Sequence, residues 1–127
     1  MNEKNNSSPR MFKTAWFAKA AKKARIDDAE LCEAIQQVIQ GQAIDLGGGV
    51  FKKRLNKNSH RSIILARGGS YWVYEFLFAK KDLANIDDNE LINFKRLAKA
   101  YEGLSENQIN KLLKNKALVE VYHENKT

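Results

Sequence analysis

The sequence predicts a single α+β domain, and three observations support this prediction. The chain has 127 residues, a length typical of one domain. Apolar residues recur with helical spacing near the N-terminus, and helix-start signals recur near the C-terminus. Between them, the segment from Val50 to Ala79 has the β-branched and aromatic content of consecutive short strands. Helices placed before and after a run of strands are typical of an α+β fold.

The N-terminal part of the chain predicts a leader followed by two helices. Met1 to Arg10 is polar and is expected to be a flexible leader, so the domain should span residues 11–127. Met11 to Ala24 is expected to begin as a short strand and to become helical. A second helix is predicted from Asp28 to about Gln40, with Gly41 as its stop. Its apolar residues share one helix face; they are Leu31, Ile35, Val38 and Ile39.

The centre of the chain predicts three strands. They are Val50 to Leu55, Arg61 to Arg67 and Ser70 to Ala79, with Gly68-Gly69 as a hairpin turn between the last two. Aromatic and β-branched residues fill Tyr71 to Phe78, so we expect that strand to be buried on much of both faces.

The C-terminal part predicts two helices, Asp88 to Tyr101 and Glu106 to Asn115, and a short last strand from Ala117 to Tyr122. Three helix starts have capping-box spacing; they are Asp27…Glu30, Asp87…Glu90 and Ser105…Gln108. Because most acids near these starts are explained by capping and by the helix dipole, little remains for a two-carboxylate hydrolase or a carboxylate-bound metal centre.

Composition argues against several other classes of protein. No run approaches the roughly 20 apolar residues of a membrane span, and the leader lacks the apolar region of a signal peptide. Cys32 is the single cysteine, which excludes an intramolecular disulfide. Its position beside an apolar helix face favours core packing over a nucleophilic role. With two histidines, one of them His123 near the end, a zinc site is not expected. We therefore expect a cytoplasmic protein without a metal, a cofactor or a membrane partner.

The net charge of the chain is concentrated in one segment. Residues 46–81 contain eight cations and one acid, Glu75, so this segment carries +7, while the remaining 14 cations and 14 acids cancel. The eight cations are Lys52, Lys53, Arg54, Lys57, Arg61, Arg67, Lys80 and Lys81. Since the segment is also the predicted sheet, the cations should converge on one surface, which suggests a polyanionic partner.

Strand alternation indicates how these cations are arranged. Lys52 and Arg54 should lie on one face of their strand and Lys53 on the other. Arg61 and Arg67 share a face, and His60 has the opposite parity or lies in the loop. Cations gathered around a phosphodiester can bind it and stabilise the charge of a pentacovalent transition state. A solvated basic face or a surface for an acidic partner stays open as the alternative.

The glycine triplet at residues 47–49 does not predict a phosphate-binding loop. It lacks both the GxxxxGK[ST] and the GxGxxG patterns, and no helix is expected to follow it. We expect the triplet to be a flexible connection into the sheet.

Several motifs resemble one known family. The segments that resemble it are Phe12–Ala18, Asp28–Ala34, Leu46–Leu55, Ser59–Leu65, Phe76–Lys81 and Ala84–Leu91. Together they are similar, in the right order over about residues 11–122, to the HigB-type branch of the RelE/ParE toxin superfamily. The resemblance implies a RelE-like fold, with two N-terminal helices on a small twisted antiparallel sheet and added C-terminal helices.

The resemblance also implies roles for individual residues. Lys52 and Arg54 match the basic residues of the first core strand, and Arg61 matches the arginine that begins the next strand. Lys81, beside Lys80, matches a cation after the last long strand. Ser59-His60 replaces the usual Gly-Tyr pair. Further RNA contacts are expected from Lys53, Lys57, Arg67, Lys80 and Tyr71.

The proton-transfer group is left open by the resemblance. The C-terminal tyrosine of archetypal RelE has no counterpart in Ala84-Asn85-Ile86-Asp87. A lysine or His60 is expected to assist proton transfer, and Tyr71 and Tyr74 are alternatives.

The function implied is that of a type II toxin, a metal-independent mRNA endonuclease that acts on the ribosome. Its expected partners are mRNA, the ribosome and a cognate antitoxin, a small helix-turn-helix protein, and one expected assembly of toxin and antitoxin is a heterotetramer. Two alternatives stay open: a ParE-like toxin that acts on gyrase without cutting RNA, and a basic module that binds nucleic acid only together with its antitoxin.

Overall fold

The computed structural model describes residues 10–67 and 71–121, with Arg67 described by its backbone alone. Residues 1–9 of the predicted leader, the Gly68-Gly69 turn with Ser70, and Tyr122 and His123 lie outside the described residues. Within these ranges the elements are β1 (Arg10–Thr14), α1 (Ala15–Lys23), α2 (Asp28–Ile39), β2 (Ile44–Gly47), β3 (Val50–Leu55), β4 (His60–Arg67), β5 (Tyr71–Ala79), α3 (Asp88–Glu102), α4 (Glu106–Lys114) and β6 (Leu118–Glu120).

The strands of the described ranges form one six-stranded sheet in the order β2-β3-β4-β5-β1-β6. β2 to β5 follow one another as antiparallel neighbours. β1 then lies parallel to β5, and β6 lies antiparallel to β1. The predicted α+β class is therefore confirmed, with a mostly antiparallel sheet. No helix in these ranges is both long and apolar enough to cross a bilayer.

The N-terminal helices cover one face of this sheet. Phe17 of α1 and Leu31 and Ile35 of α2 are fully buried in a cluster that also contains Ile64 and Tyr74 from the sheet. The Tyr74 hydroxyl donates a 2.8 Å hydrogen bond to the Leu31 carbonyl oxygen, so the one polar atom of this large ring has a partner. Burial raises the pKa of the Tyr74 hydroxyl, which keeps it neutral.

The C-terminal helices cover the opposite face. Ala98 of α3 and Ile109 of α4 are buried in a second cluster with Val50, Ile63 and Leu65. The sheet is thus the middle of three layers, and β5 contributes to both clusters. The prediction that β5 is buried on much of both faces is confirmed.

Most element bounds differ from the sequence-based prediction by one or two residues, and two differences matter more: the start of β1 and the presence of β2. Arg10, expected in the leader, is the first residue of β1, where its guanidinium forms two hydrogen bonds of 2.9 and 3.0 Å to the Glu120 carboxylate of β6. β2 was not predicted, because residues 44–47 lack a strand-like apolar pattern; in the structure they are exposed or half-buried. Pairing with β3 produces this strand.

The glycine triplet at 47–49 is the turn of the β2–β3 hairpin, not the flexible connection we expected. Its three φ angles, 87°, 61° and 82°, all lie in the left-handed region that favours glycine. A Cβ at Gly49 would lie 3.2 Å from the Ala66 carbonyl oxygen of β4. The triplet therefore lets β2 return beside β3 and stay close to the sheet.

The predicted helix caps are present, but in the cap of α2 the Glu30 carboxylate bonds to a different backbone N–H from the one expected. Reciprocal capping boxes begin α3, at Asp87 and Glu90, and α4, at Ser105 and Gln108. At α2 the Asp27 side chain accepts from the Glu30 N–H at 3.0 Å. The Glu30 carboxylate accepts instead from the backbone N–H of Asn56, which ties the β3–β4 turn to the start of α2.

A β-bulge in β5 places an acid in the interface with α3. Ile63 pairs with Phe76 and Ile64 with Tyr74, which leaves Glu75 as the extra residue. Glu75 is half-buried, and its Oε1 has no hydrogen-bond partner among the described residues. Burial raises the pKa of Glu75 to about 7, although a hydrogen bond from Tyr101 of α3 opposes the shift.

The raised pKa of Glu75 predicts a pH-dependent stability. Folded protein keeps the Glu75 proton up to about pH 7, whereas a freely exposed glutamate releases it near pH 4.5. The free energy of unfolding should therefore fall as pH rises through this window and level off above it. Since solvent partly screens the site, we expect an effect of about 1 kcal/mol, or about 3 °C in Tm.

Melting curves of Glu75→Gln and wild-type protein, recorded between about pH 5 and about pH 8, measure this effect. The Tm of Glu75→Gln should fall less over this range, because no proton is exchanged at residue 75. Glu102→Gln removes an exposed acid from the end of α3 and serves as the matched control. Equal pH slopes for Glu75→Gln and wild type would contradict the assignment.

Candidate functional site

A basic cleft lies where β2, β3 and β4 meet the segment before α3. Its volume is about 460 Å³. Four cations line it together with neutral residues, and none of its described lining residues is acidic. The lining residues are Gln42, Ala43, Ile44, Lys52, Lys53, Arg54, Arg61 and Ala84. We call this site the basic cleft.

The register of β3 against β4 brings three of these cations together. Arg54 lies directly opposite Arg61, and Lys52, two residues earlier in β3, lies opposite Ile63. Because side chains alternate along a strand, Lys52, Arg54 and Arg61 share the face that carries Val50 and Ile63. The predicted convergence of these three cations on one surface is thus present. Where this face leaves the α3–α4 layer, it forms the basic cleft.

Neutral groups hold two of the three cations. The Arg61 guanidinium donates to the backbone carbonyl oxygens of Asn58 at 3.0 Å and His60 at 3.2 Å. The Lys52 ammonium donates to Asn85 Oδ1 at 3.1 Å. Among the described residues, no carboxylate lies within ion-pair distance of Lys52, Arg54 or Arg61. Their charge is therefore available to an anionic ligand.

Lys53 differs from its neighbours because its ammonium is partly desolvated. Its Nζ donates to the Gln42 carbonyl oxygen at 3.1 Å. Burial lowers the pKa of Lys53, and the charge of Arg54 lowers it further, while Glu33 acts in the opposite direction. The ammonium of Lys53 therefore releases its proton more readily than that of an ordinary exposed lysine.

His60 and Lys81 lie apart from the basic cleft. Both line a separate groove between α1 and the end of β5. His60 has the opposite parity to Arg61, as alternation predicted, and its Nδ1 lies 2.8 Å from Ser59 Oγ. Lys81 is exposed and follows β5, where strand parity no longer fixes its direction. His60 and Lys81 thus line the same groove, whereas Lys52, Arg54 and Arg61 line the basic cleft.

The other predicted RNA contacts are dispersed. Lys57 is exposed in the β3–β4 turn beside Glu30 and Glu33, on the α2 side. Lys80 is exposed after β5. The backbone of Arg67 ends β4, and its side chain lies outside the described part of the chain.

Neither tyrosine considered from the sequence lines the basic cleft. Tyr71 is 5 % exposed, and its ring lies edge-on against Phe12 with centroids 5.4 Å apart. Tyr74 is fully buried against α2. Both rings belong to the core and present no face to RNA, so we assign neither an RNA contact nor a proton-transfer role. Cys32 is also buried, as predicted, and burial raises the pKa of its thiol.

Sequence reasoning missed the neutral wall of the basic cleft. Ile44 begins the unpredicted strand β2 and Gln42 lies two residues before it; Ile44 is 51 % exposed while paired with Lys52. Ala84 and Asn85 come from the stretch in which the resemblance left a tyrosine unmatched. The missing tyrosine in this stretch was a sequence signal that could have drawn attention to Asn85. No sequence signal indicated that Ile44 lines the cleft, because its position depends on the pairing of β2 with β3.

Comparison with known proteins identifies one family. The family model described as the RelE toxin of the RelE / RelB toxin-antitoxin system matches residues 9–121. No curated protein and no solved structure matches the chain significantly. The family match spans all of the described residues, and so includes every described strand of the sheet and the whole basic cleft. The chain therefore belongs to the RelE toxin family, whose members are toxins of toxin-antitoxin systems.

Proposed function

We propose that this toxin inhibits translation by cutting mRNA on the ribosome, with the scissile phosphodiester held in the basic cleft. The observation that carries the proposal is the clustering of Lys52, Arg54 and Arg61 in one cleft whose described lining has no acid. A cluster of positive charges without a neighbouring carboxylate binds a phosphate in preference to a neutral substrate.

The reaction we propose uses a nucleophile supplied by the RNA. The 2′-oxygen of one nucleotide attacks the adjacent phosphorus, and the bond from phosphorus to the 5′-oxygen of the next nucleotide breaks. The products are a 2′,3′-cyclic phosphate and a 5′-hydroxyl, which receives the proton. Arg54 and Arg61 stabilise the extra negative charge on the phosphoryl oxygens, and Lys52 orients the phosphate for in-line attack.

Lys53 is the proton-transfer group that we propose for this reaction. It lines the same cleft, and its desolvated ammonium has a lowered pKa. A lysine in this state can accept and donate protons more readily near neutral pH. His60, the other candidate from the sequence, lies in the groove on the α1 side. Lys81 lies there too, so we propose that both contact RNA outside the basic cleft.

Asn85 positions Lys52 in this proposal. Its Oδ1 accepts from the Lys52 ammonium at 3.1 Å, and Asn85 lies three residues before Asp88, the first residue of α3. One hydrogen bond leaves the other ammonium protons of Lys52 available to a phosphate.

The antitoxin is proposed to be a small helix-turn-helix protein encoded beside this gene. It would cover the strands of the basic cleft in the cytoplasm, where a heterotetramer of two toxins and two antitoxins is one expected assembly. The charge of the cleft should speed the encounter at low salt.

Our first functional prediction concerns the order of events in a cell. After brief expression of the chain without its antitoxin, incorporation of labelled amino acids should fall within minutes, before DNA synthesis falls. Primer extension should then show new mRNA ends within translated regions. An early stop in DNA synthesis without new mRNA ends would instead support a gyrase-directed toxin.

The second prediction concerns Arg61. Arg61→Ala should lower the cleavage rate by about 100-fold or more, because a positioned donor to the transition state is lost. Arg61→Lys should keep part of the activity, since lysine retains charge but cannot form two parallel bonds to a phosphate. The Tm should change little, because the loss of two hydrogen bonds from Arg61 to backbone carbonyls is offset by removal of a like charge opposite Arg54.

Arg96→Ala is the matched control for this series, because Arg96 is an exposed arginine of α3 outside the basic cleft. Its cleavage rate and toxicity should equal those of wild type. Full activity of soluble Arg61→Ala would remove Arg61 from the site.

The third prediction is that cleavage does not need a divalent cation beyond those the ribosome requires. Lys52, Arg54 and Arg61 supply the positive charge that a metal would otherwise supply. Cleavage should survive chelation of loosely bound metal while ribosomes stay intact by sedimentation. Loss of cleavage that only added metal restores, on intact ribosomes, would contradict the mechanism.

A further inference from the structure

A stack of aromatic rings ends in an exposed tryptophan. Trp16, in the first turn of α1, is 52 % exposed. Its ring lies 5.2 Å from the ring of Phe76 at an interplanar angle of 21°, and Phe76 in turn lies 5.9 Å from Phe94 of α3. One face of the indole is therefore supported by the protein, and the exposed part of the ring can accept another flat ring.

Cations line the groove into which Trp16 opens. This groove, of about 730 Å³, lies between α1 and the C-terminal half of β5. Lys19 follows Trp16 by three residues, and Lys23 follows Lys19 by four. All three residues therefore lie on the same side of α1. Lys81 contributes a third cation, and Asp82 is the one acid among the described lining residues. We call this site the α1 groove.

The α1 groove adjoins the basic cleft through two consecutive residues. His60 lines the groove and Arg61 lines the cleft, on opposite faces of β4. Their partners in β5 are Ala79 and Phe78, which also line the groove. A single-stranded nucleic acid that leaves the cleft around this end of β4 and β5 would therefore enter the α1 groove.

We propose that the α1 groove is a second binding subsite for single-stranded RNA, in which a nucleobase stacks on Trp16 while Lys19 and Lys23 bind its phosphates. This inference rests on the proposed function, because the ligand is the same RNA. Aromatic platforms beside cations are the usual means of binding single strands without reading their sequence. The supported, plate-like ring favours a base over an apolar protein anchor, which requires an enclosing pocket.

Trp16 fluorescence provides a direct probe of stacking. The other tryptophan, Trp72, is 8 % exposed, so Trp16 is the accessible fluorophore. A short 2′-O-methyl oligoribonucleotide, which lacks the attacking hydroxyl and is not cleaved, should quench the emission in a saturable manner. Inorganic polyphosphate of equal charge should leave the emission nearly unchanged, because it has no rings. Equal quenching by both polyanions, or by neither, would overturn the proposal.

Affinity measurements on variants of Trp16 separate base stacking from apolar contact. Trp16→Ala should weaken binding of the same oligonucleotide roughly tenfold, the loss expected for one stacked base. Trp16→Phe should restore most of the affinity, and Trp16→Leu should not. Ile92→Ala removes another exposed apolar side chain, from α3, and should bind as wild type does. Unchanged affinity in Trp16→Ala, or equal rescue by Leu and Phe, would refute stacking.

A paired lysine series tests the contacts to phosphate. Replacing Lys19 and Lys23 together by alanine should reduce the dependence of affinity on salt, because fewer counterions are released. The control replaces Lys111 and Lys114, two exposed lysines of α4, and should leave that dependence unchanged. If the Lys19 and Lys23 double variant loses antitoxin binding but keeps RNA affinity and its salt dependence, the groove is a protein-docking site and the proposal is wrong.

These measurements do not depend on cleavage, so they can refute the RNA subsite without refuting the proposed endonuclease function, and the reverse. New mRNA ends together with unaltered oligonucleotide binding by Trp16→Ala would leave the endonuclease standing and refute the subsite. The reverse result would support RNA binding in the α1 groove and refute cleavage.

Discussion

The register of β3 against β4 is the constraint on which both the core and the basic cleft depend. With Val50 opposite Leu65 and Arg54 opposite Arg61, one face of the strand pair carries apolar residues at one end and cations at the other. A slip of one residue would turn every side chain of one strand to the opposite face. Since burying an unpaired cation is costly, apolar packing beneath α3 also fixes the position of the cations.

Gathering cations in this way has a local cost that other contacts offset. Arg54 and Arg61 are like charges directly opposite each other, an arrangement that destabilises a sheet. The following turn is also strained, because residues 56–58 have φ angles of 54°, 53° and 72° without a glycine. Asn56 holds this turn in place through Glu30 and through a 3.2 Å bond to the Ala24 carbonyl oxygen. These contacts fix the hairpin end in the absence of a ligand, as the proposed electrostatic catalysis would require.

The local sequence pattern predicted the features that depend on neighbouring residues, which are the strand bounds and the alternation of side chains within a strand. β3 has the predicted bounds, β4 and β5 differ from them by one residue, and alternation correctly placed Lys52 and Arg54 on one face; that Arg61 joins them follows from the β3–β4 register. Local pattern could not locate Lys81 or Ile44, because one follows a strand end and the other belongs to a strand that forms by pairing. It also missed the extra residue at Glu75, since a bulge interrupts the period of two that alternation assumes.

The adjacency of β1 and β6 has a consequence for biosynthesis. β1, the first described strand to be made, pairs with β5 and with β6, the last described strand. A nascent chain that ends after α4 therefore leaves β1 as a sheet edge with unpaired backbone groups and leaves Arg10 without Glu120. Contacts of such long sequence separation form late and slowly. The sheet of this toxin is therefore complete only after β6 has been synthesised, and until then β1 is an open edge of the kind that pairs with other chains.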